Sequence, residues 1–311
     1  MAQQTTSTVL MVRPANFGFN PETAANNFYQ KQDGRPNQEI NRLAQQEFDH
    51  FVNLLEQHGI KVLVVEDTLE PKKTDAIFPN NWFSTHEDGK VILYPMFSPN
   101  RRLERRKDIL EFLMQSGYRI SEIIDLSFFE KDEQYLEGTG SLVLDRGNQL
   151  AYACRSVRTH EVPLAYFGRL LGYQVIDFDA VQLVDGKEVP IYHTNVMMHV
   201  GSELAIVCLE SISLASERLK VQENLERSGK KMVPITAKQK FNFSGNMLEL
   251  KNKEGEKFTV MSASAHASLN KAQLQAIQRH TQLIVPQIPT IEKLGGGSVR
   301  CMLAEIFLPL V

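Results

Sequence analysis

Three residues far apart in the chain, Cys301, His193 and Glu137, are of the types that together make a nucleophilic site. A cysteine attacks as its thiolate, a histidine moves protons near neutral pH, and a carboxylate orients a polar nitrogen group or passes a proton. Cys301 follows Gly295-Gly296-Gly297-Ser298, where missing side chains let backbone approach a ligand closely. The triple glycine lacks the lysine and the strand–loop–helix setting of a phosphate-binding loop. No GxSxG elbow occurs, and no His or carboxylate pair has a recognised metal-ligand spacing. Neither a metal nor an organic cofactor is expected. Each residue also has a plainer reading: most lone cysteines in apolar strands are core thiols, and Cys154 and Cys208 read that way. His86, His160, His199 and His266 read as structural histidines.

Such distant residues act together only if the fold converges them, and an internal repeat supplies the means. Five segments share a helical pattern, a Gly or polar stop and a short β-branched run: 58–67, 116–126, 171–180, 228–236 and 280–288. Apolar spacing of three and four marks the helices, with Ile40, Leu43, Phe51 and Leu54 in one and Leu214 and Leu225 in another. Between them recur hairpin patterns turning at Asp88-Gly89, Arg146-Gly147, Gly201-Ser202 and Glu254-Gly255. The fifth hairpin is split between VRCMLAEIFL near the C-terminus and TVLMVRPANF near the N-terminus. A period of roughly 50–58 residues suits a propeller-like array. Five strand–strand–helix–strand modules then account for residues 1–311 as a single catalytic α/β domain, a five-bladed α/β propeller whose joined termini leave no free sheet edge. Near equivalent points of the first hairpin strands stand Asn80-Asn81, Glu137, His193 with Asn195, Asn246, and Cys301. In a ring, these face one end of the axis.

Composition narrows the partners. The 311 residues are 42% hydrophobic and 23% charged, as in a soluble globular protein. A net charge of −3 argues against nucleic acid, and the basic run Arg101 to Lys107, broken by Glu104, reads mostly as a solvated helix face. Apolar runs such as Leu204–Leu209 are too short to span a bilayer, and MAQQTTSTVLMVRP has no secretory pattern. Three scattered cysteines make no disulfide framework, so a reducing cytoplasm is expected. The expected partner is a small amino-acid substrate; a homodimer stays open.

At these residues the chain resembles the guanidine-modifying superfamily of amidinotransferases, arginine deiminases and dimethylargininases, the penteins, in its citrulline-hydrolase-like branch. Glu137-Gly138-Thr139-Gly140 is similar to the family's E-G-G segment, His193-Thr194-Asn195 to its catalytic-His segment, and Cys301 to its nucleophile. The resemblance implies the five-bladed propeller and makes Cys301, His193 and Glu137 catalytic. It also implies that Asp75, Asn80, Asn81 and Asn195 surround the reacting group. Arg101 or Arg102, in Asn100-Arg101-Arg102-Leu103-Glu104, or Arg158, in Ser156-Val157-Arg158-Thr159, would bind the substrate's carboxylate through a bidentate fork. Where arginine-handling relatives carry carboxylates this chain has Asn80, Asn81 and Asn195. A guanidinium beside neutral amides lacks counter-charge, whereas a urea uses both the donors and acceptors of Asn. Citrulline, cleaved to ornithine, CO2 and NH3 through a covalent thio-intermediate, is the expected substrate. An arginine deiminase, a dimethylargininase, an amidinotransferase and a non-catalytic amino-acid-binding propeller are the rivals.

Overall fold

The computed structural model describes residues 3–311. In chain order the strands are β1 (Thr8–Arg13), β2 (Lys61–Glu66), β3 (Phe83–Thr85), β4 (Lys90–Leu93), β5 (Glu122–Asp125), β6 (Val143–Asp145), β7 (Leu150–Cys154), β8 (Gln174–Phe178) and β9 (Val181–Val184). They continue as β10 (Lys187–Pro190), β11 (Met198–Val200), β12 (Leu204–Val207), β13 (Lys231–Pro234), β14 (Leu248–Lys251), β15 (Lys257–Val260), β16 (Gln282–Ile284) and β17 (Ala304–Glu305). Five mixed sheets result, ordered β17-β1-β2, β3-β4-β5, β6-β7-β8, β11-β12-β13 and β14-β15-β16. In each, the first pair is antiparallel and the second parallel. The parallel strands are joined through the helices Asn37–Gln57, Lys107–Gln115, Glu161–Leu171, Ala215–Arg227 and Lys271–Gln278. The unit read from the repeat therefore occurs five times. Its split copy is completed by β17 against β1, with Val9 opposite Glu305.

The layers follow from the patterning. Along β1, Val9 and Met11 pack with Phe48 and Phe51 of the first helix, while Leu10 and Val12 meet Trp82 and Ile109 on the other face. This is the period-two alternation of a strand buried on both sides. The first helix turns Ile40, Ala44, Phe48, Phe51 and Leu55 inward on one stripe. Burying each of its two phenyl groups is worth about 1.5–3 kcal/mol. Leu43 and Leu54 flank that stripe half-buried, and Leu214 is not on the buried face of its helix but exposed at its N-cap. Gly172 ends the third helix at φ 73°, a left-handed conformation that glycine enters without strain.

One element is additional. Strands β9 and β10 form a separate hairpin turning on Asp185 and Gly186, both with positive φ. The Asp-Gly pair between alternating residues was its signal in the sequence. Among the described residues no helix is long and apolar enough to cross a membrane.

Candidate active site

The candidate residues do not lie on the first strand of each sheet, as the repeat suggested, but in the short turn just ahead of it. Asn80 and Asn81 close the turn Pro79–Asn81, and Glu137 and His193 cap the turns Gly138–Ser141 and Thr194–Val196. Asn246 precedes β14, and Cys301 sits within the helical turn Val299–Met302 rather than in a strand. A strand sends successive side chains to opposite faces, whereas a turn at the strand's mouth aims neighbours at one point. This is how five separate units supply one site.

A small cavity is lined by Asp75, Asn81, Arg101, Arg158, His193 and Cys301. Glu137 stands behind His193, fully buried, with both oxygens engaged. Its Oε1 accepts the Phe97 N–H at 2.9 Å, and its Oε2 lies 2.8 Å from His193 Nε2 and 3.4 Å from Arg158 Nη1. Burial opposes ionisation of Glu137. Arg158, the hydrogen bond from His193 and Arg101 outweigh it and hold the carboxyl well below the usual range. A carboxylate only accepts, so the imidazole carries its proton on Nε2 and leaves the Nδ1 lone pair. Burial pushes His193 down to about 4, against the opposing pull of Glu137, so its ring is neutral at physiological pH.

Around this pair the polar groups are largely spoken for. Arg101 clamps Glu104 in a bidentate pair at 2.9 and 2.8 Å and donates to Asn81 Oδ1 at 2.9 Å. That contact fixes the Asn81 amide with Nδ2 toward Gly140, and Nδ2 has no partner. Asp75 Oδ2 accepts from Asn20 at 2.7 Å and from Thr23, while Oδ1 has no partner. Burial raises the Asp75 pKa despite the nearby Arg101. Arg158 places its Nε on Asn26 Oδ1 at 2.8 Å and its Nη2 on the Thr23 carbonyl at 3.1 Å. Asn80 lies one layer deeper, donating to Thr139 Oγ1 at 3.3 Å, and Asn195 lies against the Cys301 sulfur at 3.5 Å.

Arg102 is not brought to the cavity. Its Nε donates to the Met96 carbonyl at 3.0 Å and lies 3.3 Å from Glu130, because consecutive residues of one helical turn point to different sides. Its neighbour Arg101 is buried, so the basic run is not wholly a solvated face. Two contributors escaped the sequence reading. Residues 20–31 cover the cavity, with Asn27 and Gln30 donating to the Gly296 and Gly295 carbonyls at 3.2 and 3.0 Å. Tyr192 packs against His193 with the rings tilted by 43° and donates to Gly296 O at 2.8 Å. Asn246, marked by its repeat position alone, contacts the Cys301 sulfur at 3.4 Å.

Gly140 shows how closely the histidine is seated. A Cβ there would stand 2.4 Å from Asn81 Nδ2 and 2.8 Å from His193 Nδ1. Gly140→Ala is therefore expected to lower kcat by about 10²-fold, the usual cost of ångström-scale misplacement, with a far smaller effect on melting temperature. Steady-state kinetics beside a thermal melt check this.

The chain has five mixed sheets of this topology with a polar cavity among the turns at their mouths, and a matching family model places it among the guanidino-modifying penteins. These are hydrolases and relatives of the amidinotransferase superfamily. A family model described as "N,N dimethylarginine dimethylhydrolase, eukaryotic" matches residues 13–308, and the chain belongs to that family. It is thus a hydrolase of the class acting on guanidino-type C–N bonds. No curated protein sequence matches it. Among solved structures it is similar to apo ArgZ, an arginine dihydrolase of cyanobacteria, with TM-score 0.74 and 14% identity over 98% of this chain and 41% of that one. The substrate-bound N-terminal domain of ArgZ superposes with TM-score 0.72 and 14% identity over 98% and 99% of the two chains. A dimethylarginine dimethylaminohydrolase bound to S-methyl-L-thiocitrulline gives 0.66 and 12% over 98% and 100%. These likenesses concern the fold.

Proposed function

We propose that the chain hydrolyses citrulline to ornithine, CO2 and NH3, with Cys301 as nucleophile, His193 as proton shuttle and Glu137 as the group that orients the histidine. The five sheets would close into a propeller around the cavity, a reading supported by the adjacency of β3 to β17 and of β11 to both β6 and β14. The observation that carries the substrate is the Asn81 amide. Its carbonyl is taken by Arg101, so it offers an N–H, and Asp75 Oδ1 offers an acceptor in the same cavity. A urea carries one oxygen to accept and N–H groups to donate, and both needs are met. A guanidinium has only donors and would leave the Asn81 N–H unsatisfied.

In the reaction, the Cys301 thiolate attacks the ureido carbon, and one nitrogen leaves as an amine after taking a proton that His193 Nδ1 has picked up from solvent. A thiocarbamate on Cys301 remains. Water activated by His193 Nδ1 cleaves it to a carbamate, which collapses to CO2 and the second amine. Arg158 is the better anchor for the α-carboxylate. Its Nε and Nη2 rest on neutral oxygens, whereas the Arg101 fork is committed to Glu104.

The test is kcat/KM for citrulline against arginine on one preparation, with citrulline expected ahead by about 10²-fold or more, since the polar mismatch of a guanidinium is desolvated. Asn81→Asp is expected to narrow that ratio. A preference for arginine or its methylated forms would favour the second reading, a guanidino hydrolase, which the matched family's description supports.

A further inference from the structure

We infer that Asn26 stands in for the substrate's α-carboxylate: its side-chain oxygen occupies the Arg158 fork in the substrate-free enzyme, and an amino-acid substrate binds by displacing it. The inference rests on the reading of Arg158 as the carboxylate anchor. Arg158 donates to the single Oδ1 of Asn26 through both Nε, at 2.8 Å, and Nη2. Its Nη2 also reaches the Thr23 carbonyl at 3.1 Å, and its Nη1 lies 3.4 Å from Glu137 Oε2. A guanidinium only donates, so the Asn26 atom facing it is the oxygen. Nε and Nη2 form an edge that takes a carboxylate by two parallel bonds, and here one neutral oxygen spans it. The ring centroids of Tyr192 and Phe97 lie 5.0 and 5.9 Å from the guanidinium carbon, so the edge keeps its direction.

The reason for such an occupant is burial. Arg158 is 1% exposed, and unpaired N–H groups on a buried cation are costly. Glu137 is shared with His193 and the Phe97 N–H, so it leaves the Nε–Nη2 edge to others. Asn26 fills that edge from the segment that covers the cavity, where it is half-buried between Thr23 and Asn27, both of which line the cavity itself. A neutral amide oxygen binds a guanidinium less strongly than a carboxylate does, so a substrate can replace it. Two effects of opposite sign follow. Asn26 stabilises the free enzyme by satisfying Arg158, and it subtracts from substrate affinity because its bonds must first be given up.

The test is steady-state kinetics with thermal melts on the full chain, using whichever of citrulline and arginine is turned over faster. Asn26→Ala is expected to lower KM about fivefold, the effect falling on KM because saturating substrate keeps the fork occupied. The substrate-free variant should melt lower than wild type, and a fixed concentration of ornithine should raise its melting temperature by more. Asn26→Asp keeps the shape and puts a carboxylate into the fork, so KM should rise about tenfold or more. A residue that merely held the cover in place would give the opposite sign in Asn26→Ala, a higher KM. An unchanged or raised KM in folded Asn26→Ala, or an unchanged KM in Asn26→Asp, would overturn the inference. Arg158→Ala is expected to raise KM and to erase the effect of Asn26→Ala when the two are combined. A KM indifferent to Arg158→Ala would instead sink the anchor itself, a separable result.

Discussion

Cys301→Ser is expected to abolish turnover, by more than about 10⁴-fold, while the protein remains folded. A serine hydroxyl has no accessible anion near neutral pH, and the amides around Cys301 contain no base aimed to create one. Fold should survive because serine is close in size and Asn195 and Asn246 can donate to its oxygen. Cys154→Ser and Cys208→Ser are expected to keep most activity. Cys154 is buried at the end of β7, where burial raises its thiol to about 12, and Cys208 pairs with Ser211 at 3.3 Å. Turnover measured on the three single variants, each with a melting curve, decides the matter. Substantial activity in Cys301→Ser would be incompatible with a covalent thio-intermediate.

His193→Ala carries the second large effect, a loss in kcat of about 10² to 10⁴. Removing the ring takes away the Nδ1 base and also the hydrogen bond that Glu137 makes at 2.8 Å. If the ionisation seen on the acid side of the wild-type pH–rate profile persists in His193→Ala, the shuttle role is wrong. The same residue has a stability signature whose sign can be worked out. Its pKa is lowered on folding from 6.5 to about 4 by burial. Between those values the unfolded chain binds a proton that the folded chain does not, so stability falls as pH falls through this window. The slope is up to about 1.4 kcal/mol per pH unit for one group. His193→Ala should flatten the fall in urea midpoint between neutral and acid pH. A remainder is expected from His86 and His199, which burial lowers in the same way to about 3.

Gly140 and the asparagines bear on what kind of pocket this is. Gly140 leaves room for the His193 ring, and Arg101 sets the face that Asn81 presents. Exchanging either changes geometry before it changes charge. On the proposed reading, substrate choice depends on amide orientation as much as on residue type.

The repeat was legible because it is carried by local signals: Gly and polar stops after helices, β-branched runs, and turn pairs such as Asp88-Gly89 and Glu254-Gly255. These act over a few residues, so β1 to β8 and β11 to β17 fall where the pattern puts them. Even the split copy could be read, since VRCMLAEIFL and TVLMVRPANF each look like half of a hairpin. The Asp185-Gly186 hairpin used the same signal and lay outside the repeat, which is why it went unread.

What tertiary structure decided is which way each polar side chain faces and what it has already bound. Arg101 and Arg102 are neighbours with the same chemistry, yet one turns into the cavity and the other toward Glu130. Glu137 reads from the chain as a substrate ligand, but Phe97, His193 and Arg158 occupy it from three separate segments. Asn27 and Gln30 cover a site more than 260 residues away in the chain, without any motif of their own. Residue types and spacing determine the elements and the inventory of reactive groups, because those depend on local conformational preference. Partnering among buried charges depends on distances between elements, and only the packed fold sets them.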